Sequence, residues 1–253
     1  MDDAILALYD AQIRADPPPA AGVAHERIGP LVRAVGLWNV VQSTQLREED
    51  AAAAVAAQAA FAREAGIALE WKVFDHDGPP SLRALLRDAG FVPDESETFM
   101  VYDLQGTALD RTPPPDIEIR RVVDARGVDD FVAVSSAAFG EDRMWQVESY
   151  IRSLGDPAVG LFVAYADGMP VSAGRLQTPA GRVFASMWGG ATTPAYRGRG
   201  LYRALVGERA REAHRRGYRY VTVDARESSR PILERLGFLP LDGVTGWVLR
   251  GEP

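Results

Sequence analysis

Apolar positions along this chain come in short blocks whose period alternates between that of a helix and that of a strand. Residues 2–16 carry helically spaced apolar positions and stop at Pro17-Pro18-Pro19, which predicts a short N-terminal helix. Two strands are predicted over 28–35 and 37–43, with Gly36 between them. The alanine-rich run over 48–64 has strong helix propensity, and Gly66 supplies its stop. A strand over 68–74, a turn at His76-Asp77-Gly78-Pro79-Pro80, a helix over 82–88 ended by Gly90, and a strand over 98–104 follow. Together they predict a small α/β unit.

Residues 106–115 include Thr112-Pro113-Pro114-Pro115, a stiff extended spacer that cannot continue a helix. The pattern then resumes with a strand over 117–123, a helix over 128–139 and a second helix over 141–154. A hairpin over 161–166 and 171–177 turns at Asp167-Gly168. A strand over 182–193 leads into a helix over 201–216, which Gly217 ends. A strand over 218–225, a short helix over 231–236 and a strand over 244–250 complete the series. At 253 residues the chain exceeds a typical domain of ~100–150 residues, and the spacer is the best boundary. The predicted organisation is residues 1–105, a Pro-rich linker over 106–115, and residues 116–253.

The two halves end alike. Leu85-Leu86-Arg87-Asp88-Ala89-Gly90-Phe91-Val92-Pro93 in the first is matched by Ile232-Leu233-Glu234-Arg235-Leu236-Gly237-Phe238-Leu239-Pro240 in the second. Upstream of each, a helix, a glycine and a strand recur in the same order at a similar offset. Duplication accounts for both agreements.

The chemistry concentrates in residues 187–205. A β-type segment runs to Thr193 and is stopped by Pro194, which lacks a backbone donor. Arg197-Gly198-Arg199-Gly200 follows, and then a long helix. Such a turn presents the unpaired N–H groups of a helix start at the positive end of its dipole. Glycines admit an anion close to the backbone, and arginines add charge-assisted donors, so the expected ligand is a phosphate or pyrophosphate. A dinucleotide fingerprint would need glycine where Arg203 stands, and a P-loop would need Gly-Lys-Ser/Thr.

Arg197-Gly198-Arg199-Gly200-Leu201-Tyr202 resembles the acetyl-CoA pyrophosphate loop of the GCN5-related N-acetyltransferases (GNAT), whose pattern is Gln/Arg-X-X-Gly-X-Gly/Ala. Arg197 and Gly200 match it, and Tyr202 departs from it by replacing a small residue with an aromatic one. The resemblance implies an α/β fold of two tandem GNAT-like domains, each a mixed central sheet flanked by helices. It also implies acetyl-CoA as cosubstrate, held along Ala191, Thr192 and Thr193 and by Arg197, Gly198, Arg199, Gly200, Leu201, Tyr202 and Arg203. The implied reaction is direct acetyl transfer to a primary amine of a small molecule or peptide. In the first half the corresponding turn is Gln45-Leu46-Arg47-Glu48-Glu49-Asp50, with no glycine and three acids. Carboxylates at a helix start suit the dipole and repel a pyrophosphate, so that half is expected to be a degenerate copy without the loop.

The usual acid and base of the family are missing from their places. Leu233 stands where many members carry a proton-donating tyrosine, and Ser186 where some carry a carboxylate. The remaining candidates are Asp224 at a strand end, as proton acceptor, and Ser228 and Ser229 before the short helix and Tyr202, as proton donors. Two have a competing structural role, Asp224 as an acid closing a strand and Ser229 as a helix N-cap. An acetyl-CoA-binding protein with little turnover is therefore the alternative to an enzyme.

Composition narrows the remaining classes. The chain has no cysteine, which excludes disulfides, thiolate metal sites and a cysteine nucleophile. Its three histidines lack ligand spacing, so no metal is expected. A formal net charge of -7 argues against general nucleic-acid binding. The start MDDAILALYD is acidic and lacks the form of a signal peptide, and no apolar run approaches the ~18 residues of a membrane span. The expectation is a cytoplasmic protein, monomer or homodimer, without membrane or nucleic-acid partners.

Overall fold

The computed structural model describes residues 2–105, 109 and 112–251. The chain divides into two compact units. Gly106, Thr107, Ala108, Asp110 and Arg111 of the predicted linker lie outside the described residues.

The first unit begins with α1 (Asp2–Tyr9), extended by a π-helical turn over Asp10–Arg14. Three strands follow, β1 (Val23–Ile28), β2 (Leu31–Gly36) and β3 (Val40–Thr44), then α2 (Glu48–Glu64), β4 (Leu69–Phe74), α3 (Leu82–Asp88) and the short β5 (Val92–Pro93). The two strands predicted over 28–43 are thus the second and third of three. The first was missed because Val23–Ile28 is a half-exposed edge segment with no fully buried position. Gly29-Pro30 turns it back on β2, with Ile28 opposite Leu31. Leu31, Val41, Val55, Trp71, Leu86 and Phe91 form the core of this unit, which α2 and α3 cover.

Chain passage between the units runs through β6 (Glu97–Asp103), the division falling after Met100. The second unit comprises β7 (Ile117–Arg121), α4 (Ala125–Phe139), α5 (Val147–Ser153), β8 (Val159–Ala166), β9 (Met169–Gln177), β10 (Phe184–Thr192), α6 (Leu201–Arg215), β11 (Tyr220–Ala225) as far as Val223 and α7 (Arg230–Arg235) from Pro231. Asp124 caps α4 by accepting the Gly127 N–H, and Gly140 ends it in the left-handed conformation. β7, β8, β9 and β10 are consecutive antiparallel neighbours, and β11 lies parallel to β10. Strand alternation sends Leu161, Val163, Ala173 and Ala191 to one face, where they pack with Val128, Phe131 and Val132 of α4. The other face carries α6.

The chain does not divide as 1–105 and 116–253. Its last strand, β12 (Leu239–Leu249), completes the first unit, lying antiparallel to β4 with Trp247 opposite Trp71. Residues Asp224–Arg230 belong to the first unit as well. Buried Trp247 and Leu249 supply apolar surface to a core otherwise drawn from the first ninety or so residues. Periodicity identifies a strand here and cannot say which sheet it joins.

Candidate functional site

The site of interest is the outer end of β10. Its parallel ladder with β11 joins Phe184 to Tyr220, Ala185 to Val221 and Ser186 to Thr222. Beyond Ser186 the strand keeps its register with β9 alone among the described residues. Between Trp188 and Ala191 the β9 register slips, so Gly189 and Gly190 oppose the single residue Gly174. Such a bulge bends a strand away from its neighbour and sharpens its twist. Gly189 supports it with a φ of 58°.

Past the bulge the ladder is regular, and the Thr193 N–H donates to the Val171 carbonyl at 3.0 Å. Alternation then turns the amide and carbonyl of Thr192 away from β9. Ser172 Oγ donates to the Ala191 carbonyl at 2.6 Å and lies 2.8 Å from Thr192 Oγ1, fixing the strand end from below. The result is an extended edge with outward main-chain groups.

A 3-10 turn over Pro194–Tyr196 carries the chain into the loop, where Gly198 and Gly200 have φ values of 78° and 83°. No heavy atom lies within 4 Å of a Cβ built on Gly198. Gly200 is the N-cap of α6, and neither a side-chain cap nor a first-turn acid satisfies the helix start. Its amide donors and dipole are left for an anion. Arg203 folds back with Nη2 3.4 Å from the position of a Gly200 Cβ, and Arg199 lies over the Tyr196 ring at 4.7 Å. Arg197 donates through Nε to the Thr192 carbonyl at 3.3 Å and through Nη2 to the Ala138 carbonyl at 3.0 Å. It therefore ties the loop to the strand end and to α4. Leu201 is buried and anchors the first helical turn.

The aromatic at position 202 has a structural explanation. A Cβ on Gly190 would come within 2.7 Å of Tyr202 Cε2, so the ring occupies the space left by a glycine in the bulge. The family pattern has its small residue on the helix. Here the small residue is on the strand.

Two arginines that sequence reasoning missed flank the bulge. Arg209 of α6 is 1% exposed and donates to the carbonyls of Leu205 and Arg175 at 3.1 Å and of Trp188 at 3.4 Å. Burial among neutral acceptors pushes its pKa down to about 10. Gly174 makes room for it, since a Cβ there would meet the guanidinium at 2.8 Å. Arg175 of β9 lies on the opposite face, in register with Trp188, and its Nε is buried without a hydrogen-bond partner. Signals for both existed: Arg209 stands in phase with Leu201 and Leu205 on an apolar stripe, and Arg175 interrupts an otherwise small and apolar strand.

The acid–base candidates Asp224, Ser228 and Ser229 are not gathered with the loop within either unit, because they fall in the first unit and residues 191–203 in the second. Asp224 accepts a hydrogen bond from Lys72 of β4 in a largely buried ion pair. Ser229 Oγ donates to the Arg226 carbonyl at 3.1 Å. Leu233 is fully buried, and Ser186 Oγ accepts from Trp188 Nε1 at 2.8 Å. Of the three tryptophans of the second half, Trp145 is 75% exposed, Trp247 lies in the first unit's core, and only Trp188 stands at the open strand end.

Among the described residues of the first unit, the turn that leads into α2 has no glycine and the helix starts with acids. Its parallel strands β3 and β4 pair Val40 with Glu70 and Val41 with Trp71. Beyond them the Trp71 indole donates to Thr44 Oγ1 at 2.8 Å, so a side chain bridges the strands. The start of α2 is occupied by its own Glu48, Glu49 and Asp50, with Arg47 paired to the last two at 2.7 Å.

An open strand end, a glycine turn and an uncapped helix start leave backbone groups of this domain without partners from the strand or helix itself. Residues 126–238 match the model of the Acetyltransferase (GNAT) family. Among solved structures the chain is similar to a GCN5-related N-acetyltransferase from Kribbella flavida, at 17% identity, covering 99% of this chain and 95% of that one, with a TM-score of 0.70. It is similar also to a tandem GNAT protein from the clavulanic acid biosynthesis pathway, at 18% identity, 100% and 94% coverage and a TM-score of 0.65. A GCN5-related N-acetyltransferase from Sphaerobacter thermophilus matches at 16% identity, 100% and 92% coverage and a TM-score of 0.64. At such identities the likeness is one of fold, that of two tandem GNAT-like domains. No curated protein matches the sequence. Among the described residues no helix is long and apolar enough to cross a membrane.

Proposed function

We propose that the second unit is an acetyl-CoA-dependent N-acetyltransferase acting on a primary amine. The observation that carries this reading is the conjunction of the β10 edge beyond Ser186 with the uncapped start of α6, two glycines of positive φ and three arginines. In this reading Thr192 offers main-chain groups to the pantetheine arm as one strand does to another. The N–H groups of the α6 start, with Arg199 and Arg203, hold the pyrophosphate, and Arg197 fixes the loop.

Acetyl-CoA supplies an activated thioester, from which transfer makes the C–N bond and breaks the C–S bond, the amine giving up a proton and the thiolate taking one. The residues around β10 orient and desolvate the reacting groups. In this reading a backbone N–H on β10 stabilises charge on the acyl oxygen, worth ~3 kcal/mol for one well-placed donor. No side chain of the second unit is assigned as base, and the acceptor enters as its free amine, with water taking the proton.

Calorimetry with acetyl-CoA tests the reading. The wild type is expected to bind at micromolar concentrations, and Arg197→Glu with Arg199→Glu to abolish binding while leaving cooperative unfolding intact. Undiminished affinity in that variant overturns the assignment. A second reading, an acetyl-CoA-binding protein with little turnover, is favoured by the burial of Leu233 and the engagement of Asp224 by Lys72. Thiol release with a broad panel of amines separates the two.

A further inference from the structure

Among the described residues, most buried cations are answered. Arg14 is paired with Asp77 and Asp10, Arg33 bonds Glu26 and Gln58, and Arg209 has three carbonyls. Arg143 and Arg182 also bury an Nε without a hydrogen-bond partner, but each is engaged elsewhere, Arg143 by Glu141 at 3.0 Å, and Arg175 differs from both. Its Nε is fully buried and unbonded, and among the described residues no carboxylate and no hydrogen bond meets its guanidinium. The residue is half-buried, so its outer nitrogens reach solvent.

The position is specific. Arg175 faces the α4–α5 side of the sheet, opposite Leu161 on β8 and Trp188 on β10. Its guanidinium lies 5.9 Å from the centre of the Trp188 ring. Trp188 is two residues past Ser186, where the ladder to β11 ends, so the cation stands one strand, ~4.8 Å, behind the open edge of β10. Desolvation lowers its pKa, and the one ionisable group acting on it is the phenol of Tyr150 on α5. The charge that Arg175 itself offers to be matched is single. A guanidinium flanked by an indole presents a planar fork of donors, which fits a carboxylate.

We infer that Arg175 recognises the carboxylate of the acceptor, and that the acceptor is a free amino acid or a closely related amine bearing a carboxylate a few bonds from its amino group. This rests on the acetyltransferase reading above and narrows its substrate class. Arg175 is a specificity-determining residue in this account. An unpaired charge held out of water is destabilising to the fold, and a ligand that pairs it recovers that cost on binding.

The test compares amino acids with their carboxamides, which differ only in the group that would meet Arg175. Thiol release is measured for the wild type, Arg175→Met and Arg175→Lys, alongside calorimetry of N-acetylated amino acids and their amides. Wild type is expected to favour carboxylates at least tenfold in kcat/KM or in affinity. Arg175→Met is expected to treat each pair alike within twofold, and Arg175→Lys to keep part of the preference. Acetyl-CoA affinity should be unchanged in both variants, and Arg175→Met should melt no lower than wild type because it removes an unanswered charge. A discrimination that survives in Arg175→Met, its absence in wild type, or a large fall in melting temperature for Arg175→Met overturns the inference. Loss of acetyl-CoA binding by the wild type would sink the acetyltransferase reading instead, and the product calorimetry would still read the carboxylate preference.

Discussion

Lys72 and Asp224, 152 positions apart in sequence, form a largely buried ion pair within the first unit. Asp224 drives the Lys72 pKa upward, against the opposite effect of burial, which is the larger single influence. The carboxylate is held by a cation, and that is a poor arrangement for a proton acceptor. Asp224→Asn should destabilise the protein by about 3 kcal/mol, because it strands a buried ammonium. Lys72→Met combined with Asp224→Leu should recover much of that loss. If acetyl transfer persists in the folded double variant, Asp224 is a structural residue; its disappearance there would establish a role in proton transfer.

Gly190 and Tyr202 form one fitted contact between strand and loop helix. Gly190→Ala places a methyl group 2.7 Å from the Tyr202 ring. The ring must move, and with it the first turn of α6. A fall of at least tenfold in acetyl-CoA affinity is expected by calorimetry, with restoration in Gly190→Ala combined with Tyr202→Ala.

His76 should make the stability of the first unit pH-dependent. It lies 2.8 Å from Asp10 and 2.5 Å from Asp242, and the hydrogen bond to Asp10 is the chief influence pushing its pKa up to about 9. A histidine that takes its proton more readily when folded stabilises fully below about pH 6.5, its ordinary value. That contribution fades as pH rises and is gone above about pH 9. Denaturant unfolding at pH 6, 7.5 and 9 should show falling stability in the wild type and a flatter profile in His76→Gln.

Turnover should follow the acceptor, since no side chain of the second unit is assigned as base. The rate at subsaturating amine is expected to rise with pH along the acceptor's own ionisation, and to shift when an amine of different pKa is used. An inflection at a fixed pH for every acceptor would reveal a protein base.

Much of this molecule was legible because its signals are local. The helix at Leu82–Asp88 is bounded by its glycine, the hairpin by Asp167-Gly168, and the loop by alternating arginine and glycine. Partnership across the chain was not legible. The alternation that marks β12 as a strand is indifferent to whether it faces β4 or β11, and the difference lies in Trp247 meeting Trp71. Arg175 was passed over for the same reason, because its significance depends on a register that a bulge sets between Trp188 and Ala191.

The placement of β12 also governs how the molecule comes into being. A ribosome delivers β4 long before the strand that must lie against it, so the earlier part of the unit waits, with Trp71 lacking its cross-strand partner, until β12 has been made. The two segments are in this sense not independent: severing the polypeptide at the proline run would leave the front fragment without the strand that closes its hydrophobic interior.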